Sequence, residues 1–429
     1  MRIVFYSTNS NGFDEKTFRI NVLPQNLTCF RDFVALHPED EFFCVSQKPG
    51  IFMPEEDADN HVIYLPLDAD AQTVSEKIIS LESELAVAMT FWIEPYDWLP
   101  VSDALVAEKL NEHGIKTICH SVQTGLVCFD KWRTHNELAR LGFDVPAAVF
   151  CDHDLYFCAG SNREVLRNVY KESVLAQIKK LSLPLIIKDT TGLSSYGMTV
   201  VHTYGEAAGY LNSKRNNSNR LIEEFITGRQ FGLEIYGVPA AYQILSPFEF
   251  SVNQYGITSP KQSVKYGPCE LPLELKKMII QLAEGLGLCG VAQVDLILDE
   301  NGKWHIIEIN PRLSGMSFTY SVSCGLSVFE MIYRACIKKL PLPQPAPYVI
   351  SLKLPLMAEN QMKEISLLEG VKLLNQTNDL AAKQEREKGF CECIIAASEK
   401  SVLQNTVQKL FEIFGDDAII LQTIKILKD

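Results

Sequence analysis

Residues 291–312 read VAQVDLILDENGKWHIIEINPR, two arms rich in Val, Leu and Ile on either side of Asn301-Gly302. An Asn-Gly pair between such arms predicts a β-hairpin with a type I′ turn, whose two central residues both need positive φ. With Asn301 and Gly302 as the loop, Glu300 pairs with Lys303 and Asp295 stands opposite Glu308. Shifting the turn by one residue pairs Asp295 with Ile306 instead. Side chains alternate along a strand, so Asp295, Glu308 and Asn310 share one face in either register. Two carboxylates and an amide on one face repel unless something positive lies between them. Oxygen ligands of this kind suit Mg²⁺, which takes one or two carboxylates and leaves positions for substrate phosphates. Ile306, Ile307 and Ile309 predict a return strand buried on both sides, not an edge hairpin with solvated acids.

Around this hairpin the composition is that of a globular protein, with 47% apolar and 22% charged residues. A chain of 429 residues predicts two or three domains. The net charge of −13 argues against a nucleic-acid or anionic-membrane partner, while a local group of Lys and Arg still allows an anionic small substrate. MRIVFYSTNSNG at the start reads as a strand and its loop, not a signal peptide. No apolar run reaches the roughly 18 residues of a membrane span. The 12 cysteines are scattered without a C-x-x-C pair, and the closest two, Cys391 and Cys393, lie in the apolar run GFCECIIAAS. Free, mostly buried thiols in a reducing cytoplasm are expected, with no metal site of Cys and His.

The first 120 or so residues alternate apolar runs (RIVFYS, EFFCVS, HVIYLPL, LAVAMTFWI, IKTICHS) with helical segments (TVSEKIISLESE, VSDALVAEKLNEHG), the pattern of a parallel sheet flanked by helices. A helix capped by Asp130 runs to about Leu141 and closes at Gly142. Lys131 in its first turn opposes the helix dipole, which suggests that the ammonium serves another purpose. A strand-rich region follows from Val145 to about Lys339, and PLPQPAP (Pro341 to Pro347) marks a linker or domain edge. The last residues predict a strand (GFCECIIAAS), a helix from about Lys400 to Phe414 ended by Gly415, and a final strand (AIILQTIKIL). SKRNNSNR, Ser213 to Arg220, reads as an exposed loop. Gly285, Gly287 and Gly290 spell G-x-G-x-x-G, but a helix precedes them and a strand follows. That inverts the dinucleotide-binding context, so they are read as a helix-to-strand turn.

Four segments line up in order: Asp130-Lys131; PLIIKDTTGLSSYGM (Pro184 to Met198), a strand carrying Lys188 and leading into a Gly/Ser/Thr loop; LIEEFITGRQF (Leu221 to Phe231); and the acidic hairpin ending in EINPRLSG. Two lysines, a loop able to turn several N–H groups toward one point, and a two-carboxylate Mg²⁺ site together describe a nucleoside triphosphate pocket. In this order and spacing the segments resemble the ATP-grasp superfamily, specifically its carboxylate–amine (L-amino acid or dipeptide) ligase branch, over about Asp130 to Leu340. The resemblance implies an α/β and α+β multidomain fold: a Rossmann-like parallel-sheet domain over 1–122, a two-lobed ATP-grasp domain over 123–340, and a C-terminal α+β unit over 341–429. The nucleotide-binding lobe would span about 145–226 and the metal lobe about 227–340.

Carried over position by position, Lys131 and Lys188 resemble the lysines that bind the triphosphate, with Ser194 and Ser195 in the phosphate-cradling loop. Glu223, Glu224, Phe225 and Ile226 resemble the hinge that binds the adenine amino group. Asp295, Glu308 and Asn310 resemble the magnesium ligands, and Arg312 the arginine that steadies an acyl phosphate. Many relatives have an acid on the ribose where Gln230 stands, and D-alanine–D-alanine ligases have an arginine where Gln293 stands, which leaves anion stabilisation to Arg312. ATP and Mg²⁺ are implied, with Mn²⁺ as a substitute metal. The implied activity is transfer of a phosphoryl group to a carboxylate, followed by attack of an amine, with Thr190 to Gly197 as the lid that excludes water. The carboxylate substrate is expected against Arg312, Ser314, Gly315 and Met316, with backbone N–H groups from Ser314 and Gly315 and a pocket wall from Met316. Rival readings are a bicarbonate-activating or purine-biosynthesis enzyme of the same fold and a non-catalytic nucleotide-binding regulatory protein. Partners are expected to be small-molecule carboxylates and amines, with a homodimer as the oligomer common in the superfamily.

Overall fold

A computed structural model describes residues 1–8, 17–21, 30–47, 61–66, 68–91, 99–159, 166–191, 198–252, 264–379 and 389–428. Ser194 and Ser195, and with them most of the expected lid, lie outside the described residues.

Strands β1 (Arg2–Tyr6), β3 (Glu41–Ser46), β4 (Val62–Tyr64), β5 (Leu85–Ala88) and β6 (Lys116–Ile118) form a parallel sheet in the order β4-β3-β1-β5-β6. Both faces of β1 are buried: Val4 and Tyr6 pack with Val74, Ile78, Val106 and Leu110 of the helices Ala71–Ser80 and Leu99–Glu112. Ile3 and Phe5 pack on the other side with Phe33, Phe42 and Phe329. Burial on both faces is why these strands read as unbroken apolar runs.

A second, antiparallel sheet has the order β7-β10-β8-β9, from β7 (Ala148–Cys151), β8 (Leu185–Asp189), β9 (Thr199–Val201) and β10 (Arg220–Glu224). SKRNNSNR is a loop up to Asn219, with Lys214, Arg215 and Asn217 exposed, but it is anchored at two buried residues. Arg220 opens β10, is buried and pairs with Asp189 at 3.1 Å, and Asn216 is buried with its amide donating to the Leu211 carbonyl. Tyr210 receives the guanidinium groups of Arg215 and Arg220 over its ring. A partner from the preceding helix thus orders residues whose local composition favours none of the regular elements.

The third sheet contains β11 (Gly228–Val238), β12 (Ala241–Ile244), β13 (Phe248–Phe250), β14 (Val264–Gly267), β15 (Gly290–Asp299), β16 (Trp304–Asn310), β17 (Tyr348–Leu354), β18 (Val371–Asp379), β19 (Gly389–Ala397) and β2 (Thr17–Asn21). Its order is β16-β15-β11-β13-β14-β17-β19-β18-β2, with β12 paired to β11. The proline-rich segment after Leu340 therefore does not interrupt the sheet, because β14 pairs directly with β17 beyond it. AIILQTIKIL is helical, not a strand: Ala418–Lys428 buries Ile419, Ile420, Thr423 and Leu427 on one stripe, and Asp417 caps its first turn by accepting from Ile419 N and Ile420 N. An apolar run of this length fits either period, and the cap and packing against Leu403, Val407 and Leu410 select the helix.

Two contacts seat the parallel sheet on the acidic hairpin. His120, just past β6, takes the Cys289 N–H on Nδ1 at 3.1 Å and gives its Nε2–H to the Val291 carbonyl at 2.8 Å. Burial holds this imidazole at a pKa of about 4, against the Val291 hydrogen bond that raises it, so it is neutral. Phe91, past β5, forms a parallel bridge with Leu313, one residue beyond Arg312.

Candidate active site

Asp295 on β15 and Glu308 on β16 are directly opposite. The route to that pairing differs from a type I′ hairpin. Gly302 has φ +80°, whereas Asn301 does not have positive φ. Asp299 and Lys303 close the loop through Asp299 N to the Lys303 carbonyl, so three residues lie in it, and Asp299 Oδ1 accepts from the N–H groups of Asn301 and Lys303. A three-residue loop alone would set Asp295 opposite Ile307. The register shifts between Asp295 and Leu296, where Leu296 pairs with Ile306, and this bulge brings Glu308 to Asp295. The face also carries Gln293, opposite Asn310, and Gln293 Nε2 donates to Asp295 Oδ1 at 2.7 Å.

Burial first, and then the charge of Glu308, raises the Asp295 carboxyl above its ordinary range; Gln293, Lys265 and Arg312 pull the other way. Two facing, half-buried carboxylates are stable as anions only with a cation beside them. Hard oxygen donors fit a divalent ion such as Mg²⁺. Among the described residues no group of three or more His, Cys, Asp and Glu side chains converges, and the further oxygen donor next to this carboxylate pair is Asn310. Asn310 Oδ1 also accepts from Arg312 Nη2 at 2.9 Å, which ties the arginine to the same end of the hairpin.

The lysines approach from the other two segments. The helix Lys131–Arg140 is capped by Asp130, whose side chain accepts from Arg133 N, and its Lys131 N–H donates to the Thr190 carbonyl at 2.7 Å. That backbone bond joins the helix start to the residue two beyond Lys188, and Lys131 Nζ lies 3.9 Å from Glu308 Oε1. The ammonium that opposes the helix dipole thus faces the acidic hairpin. Lys188, the penultimate residue of β8, is buried and donates to Glu223 Oε2 at 2.6 Å. His135 contacts Glu223 Oε1 at 3.1 Å, and Trp132 stacks on both His135 and Phe150. Against the penalty of burial, Lys188 and His135 hold the Glu223 carboxyl at a pKa of about 2. The segment expected as the hinge is fixed in place: Glu224 N donates to the Ala147 carbonyl, Phe225 N to the Pro184 carbonyl, and the Glu224 carboxylate accepts from Ser182 N. Ile226 follows at the crossing into β11, where Gln230 pairs with Ile297 and Phe250.

The turn after β16 is held more tightly than expected. Ser314 is buried and its N–H is already given to Ser317 Oγ, so it is not a free donor for a substrate. Met316 is only 1% exposed and belongs to the core with Phe248, Tyr320 and Phe329, where it packs the turn from below. Gly315 is the exposed residue of the turn, and Lys265 Nζ donates to its carbonyl at 2.8 Å. Beneath it, Glu234 of β11 accepts from Ser314 Oγ (2.8 Å), Ser317 Oγ (2.6 Å) and Tyr236 OH (2.9 Å). Burial raises Glu234 to a pKa of about 7 against these hydrogen bonds. Glu234, Lys265 and His135 were missed by sequence reasoning. Glu234 had a signal, an acid in the middle of the apolar run FGLEIYG; Lys265 and His135 had none.

Residues 128–316 match the family model described as the ATP-grasp domain. The chain carries an ATP-grasp domain. The hairpin, both lysines and Arg312 all fall within it. Among curated relatives, a carbamoyl phosphate synthase large chain from Clostridium botulinum is 23% identical over 53% of this chain, and the match spans only 22% of that protein. A D-alanine–D-alanine ligase from Buchnera aphidicola is 28% identical over 50% of this chain and 70% of its own length. Two solved structures share the fold through most of the chain. The L-amino acid ligase from Bacillus licheniformis superposes with a TM-score of 0.62 at 17% identity, covering 96% of this chain and 97% of the other. N5-carboxyaminoimidazole ribonucleotide synthetase from Thermus thermophilus gives 0.65 at 15% identity, covering 97% and 99%. The likeness extends past the ATP-grasp domain at both ends. No helix among the described residues is long and apolar enough to cross a membrane.

Proposed function

We propose that this protein is an ATP-dependent ligase that activates a carboxylate, foremost that of an amino acid, and joins it to an amine, releasing ADP and phosphate. The observation that carries this reading is the Asp295–Glu308 pair with Lys131 3.9 Å from Glu308 and Arg312 bound to Asn310 beside it. Asp295, Glu308 and Asn310 would hold Mg²⁺, and Mg²⁺–ATP supplies the phosphoryl group that turns a poor electrophile, the free carboxylate, into one with a leaving group. Lys131 and Lys188 offset triphosphate charge, the latter on release from Glu223. Arg312 presents a planar fork to the carboxylate, and the Gly315 turn, fixed from beneath by Glu234, sets where that fork stands.

The test is an ADP- and phosphate-release screen over pairs of amino acids, with each acid and each amine also supplied alone. ADP and phosphate are expected in step with amide formed; AMP formed in step with the amide would overturn the reading. A second reading, bicarbonate activation, is supported by the fold shared with the N5-carboxyaminoimidazole ribonucleotide synthetase. ADP release that needs bicarbonate and no amino acid would favour it.

A further inference from the structure

Past Lys265 the sheet face that bears Asp295 continues onto the C-terminal strands, and there it carries polar groups that the ATP-grasp machinery does not use. Glu392 of β19 stands between Cys391 and Cys393, which face the opposite core. Its own side is that of Ile394, which belongs to the core containing Leu313 and Met316. Asn375 of β18 is directly opposite Glu392, and Ser351 of β17 donates to Glu392 Oε1 at 3.0 Å. Glu392 is 7% exposed and Asn375 5%.

These groups are under-satisfied. A carboxylate offers about four acceptor positions, and Ser351 fills one of them. Lys265 Nζ, which donates to the Gly315 carbonyl, makes a long ion pair of 4.0 Å with the same Glu392 Oε1, so Oε2 keeps its acceptor positions. Lys353, opposite Glu392 on β17, places its ammonium over the Phe390 ring, 4.3 Å from the centroid. Asn375 Oδ1 is buried without a hydrogen-bond partner. The next residue shows what a structural amide looks like in this sheet: Gln376 is equally buried, and both ends of its amide are paired with the Met357 backbone at 2.9 Å. A buried carbonyl oxygen without a partner is costly, so its retention opposite a carboxylate points to a ligand.

We propose that Glu392, Asn375 and Ser351 bind the ammonium group of the amino-acid substrate. Three acceptors (the carboxylate, the amide oxygen and a lone pair of the Ser351 hydroxyl) match the three N–H donors of an ammonium. Lys265 Nζ, 2.8 Å from the Gly315 carbonyl and 4.0 Å from Glu392, sets this subsite beside the turn that follows Arg312. The inference rests on the ligase reading for what reacts, but not for what binds.

The test uses the full chain with MgADP and calorimetric titration of three pairs: L-alanine and propionate, L-leucine and 4-methylpentanoate, L-lysine and 6-aminohexanoate. The wild type is expected to bind at least one amino acid about tenfold or more tightly than its partner lacking the α-amino group, the scale of a charge-assisted hydrogen bond. Glu392→Gln and Asn375→Leu should each bring that ratio close to one and leave MgADP affinity unchanged. A purely structural role would not change this ratio, and thermal melting identifies which variants are folded; if Glu392→Gln is not, Asn375→Leu decides. An unchanged ratio in a folded variant, or a wild-type ratio near one for all three pairs, overturns the proposal. If the ratios behave as expected while no amino-acid pair releases ADP, the ligase reading fails and the ammonium subsite stands.

Discussion

Glu308 and Arg312 carry the sharpest predictions at the scale of single residues. Replacing Glu308 by Gln keeps the shape and removes one of the two facing charges. Turnover should fall by about two orders of magnitude or more, since a metal ligand contributes several kcal/mol of charge stabilisation, while the melting temperature stays near that of the wild type. Near-normal ADP release by Glu308→Gln at saturating Mg²⁺ would remove it from the site. Arg312→Lys keeps the charge but loses the fork that reaches Asn310 Oδ1 and the substrate together. Amide formation should drop far more than MgATP affinity, measured by titration of the same preparation; equal losses would place Arg312 on the nucleotide instead. Residue types drew attention to both positions, because E-x-N-x-R at the end of an isoleucine-rich strand sets charged groups where apolar ones are expected. Lys188 was legible too, but its partner was not: Glu223 is 35 residues away and meets Lys188 only through the pairing of β8 with β10.

Among the elements, β11 is the strand on which the site depends. Gly232, at its centre, is opposite Asp295 on one side and Phe248 on the other. A Cβ there would lie 2.2 Å from the Phe250 ring, so the absence of a side chain lets that ring cross the strand beside the face that bears Asp295. Gly232→Ala should destabilise the protein by roughly 1–3 kcal/mol through forced displacement of the ring. It should also lower turnover, which urea melts and ADP release measure on the same samples. A melt and a rate both equal to wild type would show that Phe250 moves aside freely. The hairpin belongs to this scale as well. Asn301-Gly302 announced the turn, yet the loop has three residues and the register is restored by a bulge. Both alternatives keep the same apolar residues buried, so local sequence cannot choose between them; pairing of β15 with β11 on its other edge can.

In the molecule as a whole, the parallel sheet holds a buried acid at the ends of its central strands. Asp103 accepts from Thr8 N, Thr8 Oγ1 and Thr90 Oγ1 at the ends of β1 and β5. Burial pushes its pKa to about 7 in spite of these hydrogen bonds, and its titratable neighbours Tyr6 and Cys119 are neutral, with pKa values raised well above ordinary. The folded state therefore holds a proton that the unfolded chain releases near its ordinary pKa of 3.8. The stabilising contribution is complete below that pH and is lost as pH rises through about 7, at up to about 1.4 kcal/mol per pH unit. Asp103→Asn keeps the acceptor oxygen and removes the titration. Relative to wild type it should gain stability progressively from about pH 5 to pH 7, in urea melts across that range. A constant difference between the two proteins would show that Asp103 does not titrate there.

What the sequence determined by itself is local or periodic: the alternating strands and helices of the first sheet, the caps at Asp130 and Gly142, the acidic hairpin, and the short motifs that carry Lys131, Lys188 and Arg312. Each depends on neighbours within a few residues, where side-chain period and backbone preference act directly. Tertiary structure decided the rest. It made AIILQTIKIL a helix, buried Arg220 inside a polar run, turned Ser314 and Met316 inward, and brought Glu234, His135 and Lys265 to the site. It also set Glu392 across from Asn375. For the apolar run and Met316 the packing of distant elements chose the side that is buried. For the others, a polar side chain is stable inside a protein only where distant elements supply its partners, and which elements become neighbours is settled by packing of the whole chain.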